Sequence, residues 1–281
     1  MTADGVPERL ARLVAMSSGD GRLDTVIRLT CGRALSLAPL PSEVDLIDGK
    51  SDGESVVAAF AEQFAVDVSR IGQHQRKQFL SALGDNAFRV AAAIFIADFV
   101  PRVWAGFEAL GLGKAGHGPV VDWDHDTDPA DALLNGFVPA VARMRQLDAV
   151  TTEVVRLRGA TQHNCRLCKS LRDSSALQAG GSESLYSGIE DYETSTELSD
   201  RHKAALRYVD ALIWSPSRID PQVAAGLWAN FSEAEAVELT YDVMRNAANK
   251  IAVSLAADTP RVSEGTEEYS IDAEGQTVFA G

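Results

Sequence analysis

The chain of 281 residues carries 26 Lys+Arg against 40 Asp+Glu, a formal net charge of −14, and 46% of its residues are hydrophobic. This acidic balance argues against a protein that binds the phosphate backbone of nucleic acids, because such proteins need clustered Lys and Arg. No apolar run approaches the roughly 20 residues that span a bilayer, and the N-terminus lacks the basic and apolar regions of a secretory signal. We therefore expect a soluble, cytoplasmic protein of one or two domains that binds neither nucleic acid nor membrane.

Apolar residues recur at a spacing of three to four through most of the chain, which predicts a mainly α-helical fold. The first strong helical faces lie within residues 73–110. Residues 127–129 (Thr-Asp-Pro) are typical of a helix N-cap followed by proline. Residues 206–213 predict a further helix, which Pro216 ends.

The last quarter of the chain contains one more predicted helix and one predicted hairpin. Residues 232–235 (Ser-Glu-Ala-Glu) are typical of a capped helix start, and we expect that helix to pass Ile251 and stop at Pro260. Alternation with a period of two is confined to residues 269–279, where Glu274-Gly275 predicts a turn between two short strands.

Two polar segments divide the chain into units. Residues 113–128 are rich in glycine and then acidic, which is typical of a linker, and residues 180–200 predict an irregular polar excursion. The domain boundaries follow: a helical unit over residues 1–112, the linker, a second helical unit over residues 129–262, and a tail over residues 263–281.

The two helical units resemble each other. Residues 59–110 align with residues 207–258 at a constant offset of 148 without gaps, and residues 27–29 align with residues 155–157 at an offset of 128. The difference between the offsets corresponds to the polar excursion in the second unit. We interpret the pattern as a degenerate internal duplication.

Three further side chains are assigned to the hydrophobic core. Cys31 stands apart from the other cysteines and is most simply a small buried thiol. Trp214 and Trp228 fall on apolar helical faces, which also predicts burial.

Cys165 and Cys168 form the most informative pair in the sequence. On a helix, their spacing of three places both sulfurs on one face. Basic residues near a helix N-terminus lower a thiol pKa, and three follow here: Arg166, Lys169 and Arg172. This suits a dithiol that cycles through a disulfide. Three alternatives stay open: two buried apolar side chains, a structural zinc site with His163, or a thioredoxin-like motif.

Glu153 lies twelve residues before Cys165, with one predicted helix and a break near Gly159 between them. A carboxylate that the chain brings back over the cysteine pair can serve as the base that activates a thiol. The common alternative for a single glutamate is a solvated position on the helix.

The pattern E-x11-C-x2-C, preceded by Asn164, resembles the carboxymuconolactone decarboxylase/AhpD-like alkylhydroperoxidase family. The later run Arg245-Asn-Ala-Ala-Asn-Lys-Ile-Ala is similar to that family's late helix with paired asparagines. The resemblance covers roughly residues 145–258, and a fainter echo covers residues 22–112.

The resemblance implies an all-α, AhpD-like fold in two tandem repeats and a thiol-dependent peroxidase without cofactor or metal. Cys168 is then the peroxidatic cysteine, Cys165 the resolving cysteine, and Glu153 the proton-relay carboxylate. The implied partners are a small hydroperoxide and an external dithiol reductant. The family also implies a homo-oligomer, for which a fused repeat predicts a dimer or trimer.

The chain departs from the family pattern at two histidines, of which the one often found just before the second cysteine is Leu167 here. The family's C-x-x-C-x3-H motif places histidine at position 172, where this chain has Arg172. Arginine stabilises a thiolate but does not shuttle protons, so His163 becomes the candidate titrating group beside the cysteines. The alternative for His163 is a histidine that caps the turn before the helix. In the first unit the positions of Glu153 and the cysteine pair are occupied by other residues: Thr25, Leu37 and Leu40.

Two other functions remain as alternatives. A decarboxylase-like lyase for a lactone acid would use Glu153 and His163 as acid and base, and Arg172 to hold a carboxylate. A non-catalytic assembly protein would carry the two cysteines as structural side chains.

Overall fold

The computed structural model describes residues 5–46, 48–113 and 121–279, and helices dominate these ranges. The predicted all-α character is confirmed. Residues 114–120 of the predicted linker lie outside the described residues. In the first half the helices are α1 (Val6–Val14), α2 (Gly21–Leu35), α3 (Asp52–Asp67), α4 (Gln73–Leu83) and α5 (Ala87–Ala109), with 3₁₀ turns at Val68–Arg70 and Gly84–Asn86.

The second half contains shorter elements around four longer helices. The longer helices are α8 (Ala149–Gln162), α12 (Asp200–Trp214), α13 (Pro221–Trp228) and α14 (Glu233–Ala247). The others are α6 (Pro129–Asp131), a π-helical segment (Ala132–Phe137), α7 (Val138–Ala142), α9 (Arg166–Lys169), β1 (Leu171–Asp173), α10 (Ser174–Gln178), α11 (Glu183–Ser187), a 3₁₀ turn (Pro216–Arg218), α15 (Lys250–Ser254), β2 (Glu267–Ile271) and β3 (Thr277–Phe279).

Side-chain caps start the predicted helices where the sequence places them. Asp128 caps α6 with Pro129 in the first turn, and Ser232 and Glu235 form a capping box at α14. The prediction that this last helix continues to Pro260 is wrong. α14 ends at Ala247, and α15 ends at Ser254, six positions before Pro260, because Ala256 adopts a positive φ of 57°.

Elements of the same type and order recur at constant spacing in the two halves. α3, the 3₁₀ turn after it and α4 each begin 148 positions before α12, the turn Pro216–Arg218 and α13. α2 begins 128 positions before α8. The additional short elements of the second half, α9 to α11 with β1, lie between α8 and α12.

α5 lies at the centre of the fold and packs against helices of both halves, among them α2, α14 and α12. By length and composition the helical stretch Gln73–Ala109 is able to cross a membrane, but 89% of its most apolar window is buried inside the protein. Gly106 permits the close approach of α12, since a Cβ there would lie 2.6 Å from the hydroxyl of Tyr208 and 2.8 Å from Leu212.

The predicted hairpin is confirmed, and it is part of a three-stranded sheet. β2 pairs with β3 in antiparallel fashion around a turn in which Gly275 has a φ of 85°. β2 also pairs in parallel with β1, the segment that directly follows the cysteine pair. The β2–β3 hairpin therefore contacts the region of the candidate site.

The predicted polar excursion packs onto the outer face of α8. Tyr186, Ile189 and Tyr192 form a second apolar cluster with Val154 and Leu157 of that helix. The excursion thus covers a helix face that would otherwise be exposed.

Cys31 is fully buried, as predicted. The prediction that both tryptophans are buried is wrong, because Trp214 is 48% and Trp228 is 38% exposed. Trp214 lies at the end of α12, where its indole donates a hydrogen bond to Gln162 at the surface.

Candidate functional site

The segment with the cysteine pair begins where α8 ends. Asn164 adopts a positive φ of 52°. The backbone N–H groups of Asn164 and Cys165 donate to the carbonyls of Thr161 and Ala160, at 3.0 and 2.9 Å. This is a Schellman motif, which ends the helix and turns the chain. The turn brings Cys165 to the C-terminal end of α8.

The short helix α9 places the two cysteines together. Cys165 is its N-cap, and the Cys165 Sγ accepts a hydrogen bond from the backbone N–H of Cys168 at 3.2 Å. The two sulfurs are joined in a disulfide, with the Cα atoms 5.3 Å apart. Cys165 is 1% exposed, whereas Cys168 is partly exposed. Of the two cysteines, Cys168 is therefore the one that is accessible from solvent.

Asp258, which follows α15 in the sequence, fixes the start of α9. Its carboxylate accepts a hydrogen bond from the backbone of Arg166 at 2.9 Å and pairs with the Arg166 guanidinium at 2.7 Å. Its carbonyl accepts from the backbone N–H of Leu167. Burial raises the pKa of Asp258, but the hydrogen bonds from Arg166 outweigh burial and lower it. Arg166 thus pairs with a carboxylate.

Glu153 is buried on α8 and bound to a cation. Its two oxygens accept hydrogen bonds from the Arg156 guanidinium at 2.6 and 2.7 Å. The backbone N–H of Asp173 and the hydroxyl of Tyr269 approach the same carboxylate at 3.2 and 3.5 Å. The predicted base is therefore in an ion pair, and none of its contacts reaches a sulfur.

Arg156 connects this ion pair to the cysteine segment. Its remaining N–H groups donate to the carbonyl of Cys168 at 2.8 Å and to that of Leu171 at 2.7 Å. We call this arrangement the Arg156 clamp. It holds both ends of the segment 168–171 against α8, and Glu153 is its counterion.

Arg172 does not reach the cysteine pair. Its guanidinium binds Glu183 in bidentate fashion at 2.6 and 3.0 Å and lies over the ring of Tyr186. The hydrogen bond from Arg172 lowers the pKa of Glu183. The expectation that Arg172 tunes the thiol is thus not met by its contacts, because the polar excursion supplies it with a carboxylate.

His163 and Asn249 lie beside the disulfide. The Asn249 Nδ2 donates to the Cys168 Sγ at 3.1 Å. His163 is buried, and neither of its ring nitrogens has a hydrogen-bond partner of full geometry. Burial, together with the charges of Lys250 and Arg102, lowers the pKa of His163 well below its usual value, and the Asn249 amide opposes this shift. His163 is therefore a neutral imidazole.

Residues of α5, in the first half of the chain, lie close to His163 and Lys250. The ring of Phe99 meets the His163 ring edge-on at 6.3 Å. Asp98 accepts hydrogen bonds from the Lys250 ammonium at 2.5 Å and from Arg102 at 2.8 Å. Burial lowers the pKa of Lys250 to about 8 against the opposing effect of Asp98. A buried ion cluster from both halves thus lies beneath His163.

Cys31 lies in a different environment from the Cys165–Cys168 pair. It is fully buried, its sulfur lies 3.9 Å from the carbonyl of Ile94, and burial raises its pKa. Such a thiol is a core side chain and is inert toward solutes.

A cleft of about 170 Å³ is also lined by Arg156, and neither cysteine lines it. Its charged wall includes Glu238, Asp242 and Arg245, and burial raises the pKa of both carboxyl groups. The cleft therefore shares one residue with the Arg156 clamp.

No group of three or more His, Cys, Asp or Glu among the described residues is arranged to hold a metal ion. The structure places three residues around the cysteines to which the sequence assigned no role: Arg156, Asn249 and Asp258. A signal existed for Arg156, since the alignment of residues 27–29 with 155–157 places it on Arg28. Asn249 lay in the paired-asparagine motif. Nothing local marked Asp258.

Fold and site together define a mainly helical protein with a CxxC disulfide held at a helix end by buried ion pairs. The chain is 59% identical over 277 residues, 98% of each chain, to the uncharacterized protein Rv2313c of Mycobacterium tuberculosis (strain H37Rv) and to the uncharacterized protein MT2376 of strain CDC 1551. It belongs to the family of these proteins. The uncharacterized protein YnjA of Escherichia coli is 28% identical over 109 residues, which are 38% of this chain and 60% of YnjA. No family model matches the chain, and no solved structure matches it significantly.

Proposed function

We propose that the protein is a thiol-dependent peroxidase that uses the Cys165–Cys168 pair in a dithiol/disulfide cycle. The observation that carries this proposal is the disulfide itself, with one sulfur buried and the other partly exposed at the end of α8. The E-x11-C-x2-C pattern, which resembles the AhpD-like family, supports it. Cys168 is the attacking thiol in this proposal, and Cys165 is the resolving thiol.

The cycle has three steps. The Cys168 thiolate attacks the outer oxygen of a hydroperoxide, so an S–O bond forms, the O–O bond breaks, and the alkoxide leaves and takes up a proton. The Cys165 thiol then attacks the sulfenic sulfur, which forms the S–S bond and releases water. An external dithiol reduces the disulfide through a mixed disulfide on Cys168, and the reductant leaves oxidised.

Glu153 has a positioning role in this proposal. Its carboxylate is bound to Arg156, whose other N–H groups hold the Cys168 and Leu171 carbonyls. The Arg156 clamp fixes the backbone that carries the attacking sulfur, and fixed reacting groups are a general source of rate.

We also infer that the chain consists of two tandem AhpD-like repeats and that the first repeat is degenerate. The constant spacing between equivalent helices supports this inference. A second support is that Arg28 and Arg156, which align at the offset of 128, both bind carbonyls of the segment after their helix. The first repeat then provides α5 to the site of the second.

A lyase has less support from the contacts. Its three proposed residues have separate partners: Glu153 binds Arg156, Arg172 binds Glu183, and His163 lies beside Asn249 and Phe99.

Steady-state consumption of an organic hydroperoxide with a dithiol reductant tests the proposal. We expect turnover by the parent protein and its loss in Cys168→Ser and Cys165→Ser. Cys31→Ala is the matched control, because it removes a thiol that the mechanism does not use, and it should retain turnover. Absence of turnover in the parent, or unchanged turnover in Cys168→Ser, contradicts the peroxidase.

A further inference from the structure

Asn249 provides a side-chain hydrogen bond to the exposed sulfur of the pair. Its Nδ2 lies 3.1 Å from the Cys168 Sγ. It belongs to the junction between α14 and α15 and is 81 positions away in sequence. A contact of this kind between distant elements is fixed by the tertiary packing.

The orientation of the Asn249 amide determines whether the Cys168 sulfur meets an N–H donor or an oxygen. With Nδ2 toward the sulfur the amide donates a hydrogen bond, whereas the flipped amide would present its oxygen lone pairs. In the observed orientation Oδ1 is buried and has no hydrogen-bond partner of full geometry. A group that donates to Oδ1 would hold the amide in the donating orientation.

His163 is placed to be that group. It is 4% exposed, and both its ring nitrogens lack a fully formed hydrogen bond. A neutral imidazole has one N–H to donate, and the neighbouring amide of Asn249 is the group that favours a proton on this ring. The Asn249 Oδ1 and the His163 ring are thus two buried groups without a hydrogen-bond partner, and the same Asn249 amide contacts the Cys168 Sγ.

We propose that Asn249 stabilises the Cys168 thiolate by donating a hydrogen bond to it, and that His163 positions the Asn249 amide for this purpose. The inference rests on the proposed role of Cys168 as the reactive thiol. A disulfide sulfur is a weak acceptor, whereas a thiolate carries a full charge, so the contact strengthens when the protein is reduced. An amide does not titrate, and its effect therefore persists at every working pH.

The cations packed around α9 bind acceptors other than the Cys168 sulfur. Arg156 from α8 binds backbone carbonyls, Arg166 is neutralised by Asp258, and Lys169 binds the Asn164 side chain. The Asp98–Lys250 pair lies deeper, with Arg102 bound to the same carboxylate. These contacts give each cation next to Cys168 another acceptor, which makes the Asn249 amide the donor directed at the sulfur.

The test measures the pKa of the Cys168 thiol in a Cys165→Ser background, from the rate of alkylation by iodoacetamide as a function of pH. We expect Asn249→Leu to raise this pKa by about one unit, as for the loss of a hydrogen bond to a charged group. Asn249→Asp should raise it further, because a carboxylate repels the thiolate. Asn246→Leu, one turn earlier on α14, is the control and should leave the pKa unchanged.

His163 is tested by two substitutions of similar size. His163→Phe should raise the thiol pKa by a smaller amount than Asn249→Leu, and His163→Gln, which can donate to Oδ1, should restore the parent value. A parent-like pKa in both Asn249 variants, with the fold intact by circular dichroism, overturns the inference. The assay needs no peroxide, so a shifted pKa without peroxidase turnover would reject the proposed function and leave this inference standing.

Discussion

Arg28 in the first half and Arg156 in the second make similar contacts, but only Arg156 has a bound carboxylate. Arg28 donates to the carbonyls of Val14, Met16 and Pro41. Burial lowers the pKa of Arg28, and the charges of Asp24 and Glu43 oppose this shift. Position 25, which aligns with Glu153, is Thr25. The comparison teaches that the fold builds this contact without a glutamate, so Glu153 adds something that only the half with the cysteines has.

The segments that the two arginines hold also differ. In the first half the positions of the cysteines are taken by Leu37 and Leu40, which pack against the core. An aromatic ring covers each guanidinium, Trp123 over Arg28 and Tyr269 over Arg156. The aligned positions therefore carry apolar packing in one half and a disulfide in the other.

The largest expected effect comes from removing the carboxylate that distinguishes the halves. Glu153→Gln leaves the buried Arg156 without its counterion and should lower the free energy of unfolding by about 3–5 kcal/mol. Thr25→Val at the aligned position should cost about 1 kcal/mol, since it removes a hydroxyl that donates to the carbonyl of Val44. Urea denaturation of both variants under reducing conditions measures the difference.

Equal losses in the two variants would show that Glu153 is dispensable for the Arg156 clamp. A loss of peroxide reaction in Glu153→Gln without any loss of stability would instead restore the original expectation of a catalytic base.

A second contrast concerns Lys250 and Arg102, which align at the offset of 148 and bind the same Asp98. Burial lowers the pKa of Lys250 from 10.5 to about 8. The unfolded chain therefore holds more protons than the folded protein between those values, and the free energy of unfolding should rise with pH across that window. The slope is at most about 1.4 kcal/mol per pH unit.

Lys250→Arg removes this titration and keeps the charge. Denaturation curves at several pH values above 8 should show the rise in the parent and a flatter dependence in the variant. Parallel dependences in the two proteins would contradict the depressed pKa of Lys250.

The smallest effect is expected at Arg172. It binds the exposed Glu183 and no part of the cysteine pair, so Arg172→Gln should change the alkylation rate of Cys168 less than twofold. Arg156→Gln, which breaks the clamp, is the comparison and should change that rate more. A larger change of the alkylation rate in Arg172→Gln would show that the charge of Arg172 acts on the Cys168 thiol.

Local signals in the sequence predicted the helical fold, the hairpin and the capped starts of α6 and α14, because caps, turns and periodicity depend on near neighbours. They also identified the cysteine pair. They did not predict that Glu153 binds Arg156, since a carboxylate on a helix has many available partners and only tertiary packing selects one. Asp258 and Asp98 act across 92 and 152 positions respectively, a distance over which no spacing rule applies. Trp214 was misassigned because periodicity indicates a helix face and does not show where the neighbouring helices end.

Trapping the sulfenic acid shows directly whether Cys168 reacts with a hydroperoxide. Reduced Cys165→Ser protein is treated with an organic hydroperoxide and dimedone, and the modified residue is located by mass spectrometry. The account predicts a dimedone adduct on Cys168 and none on Cys31, together with a Cys165–Cys168 disulfide in the peroxide-treated parent. An unmodified Cys168 in the variant, or a parent whose thiols stay reduced in peroxide, would contradict it.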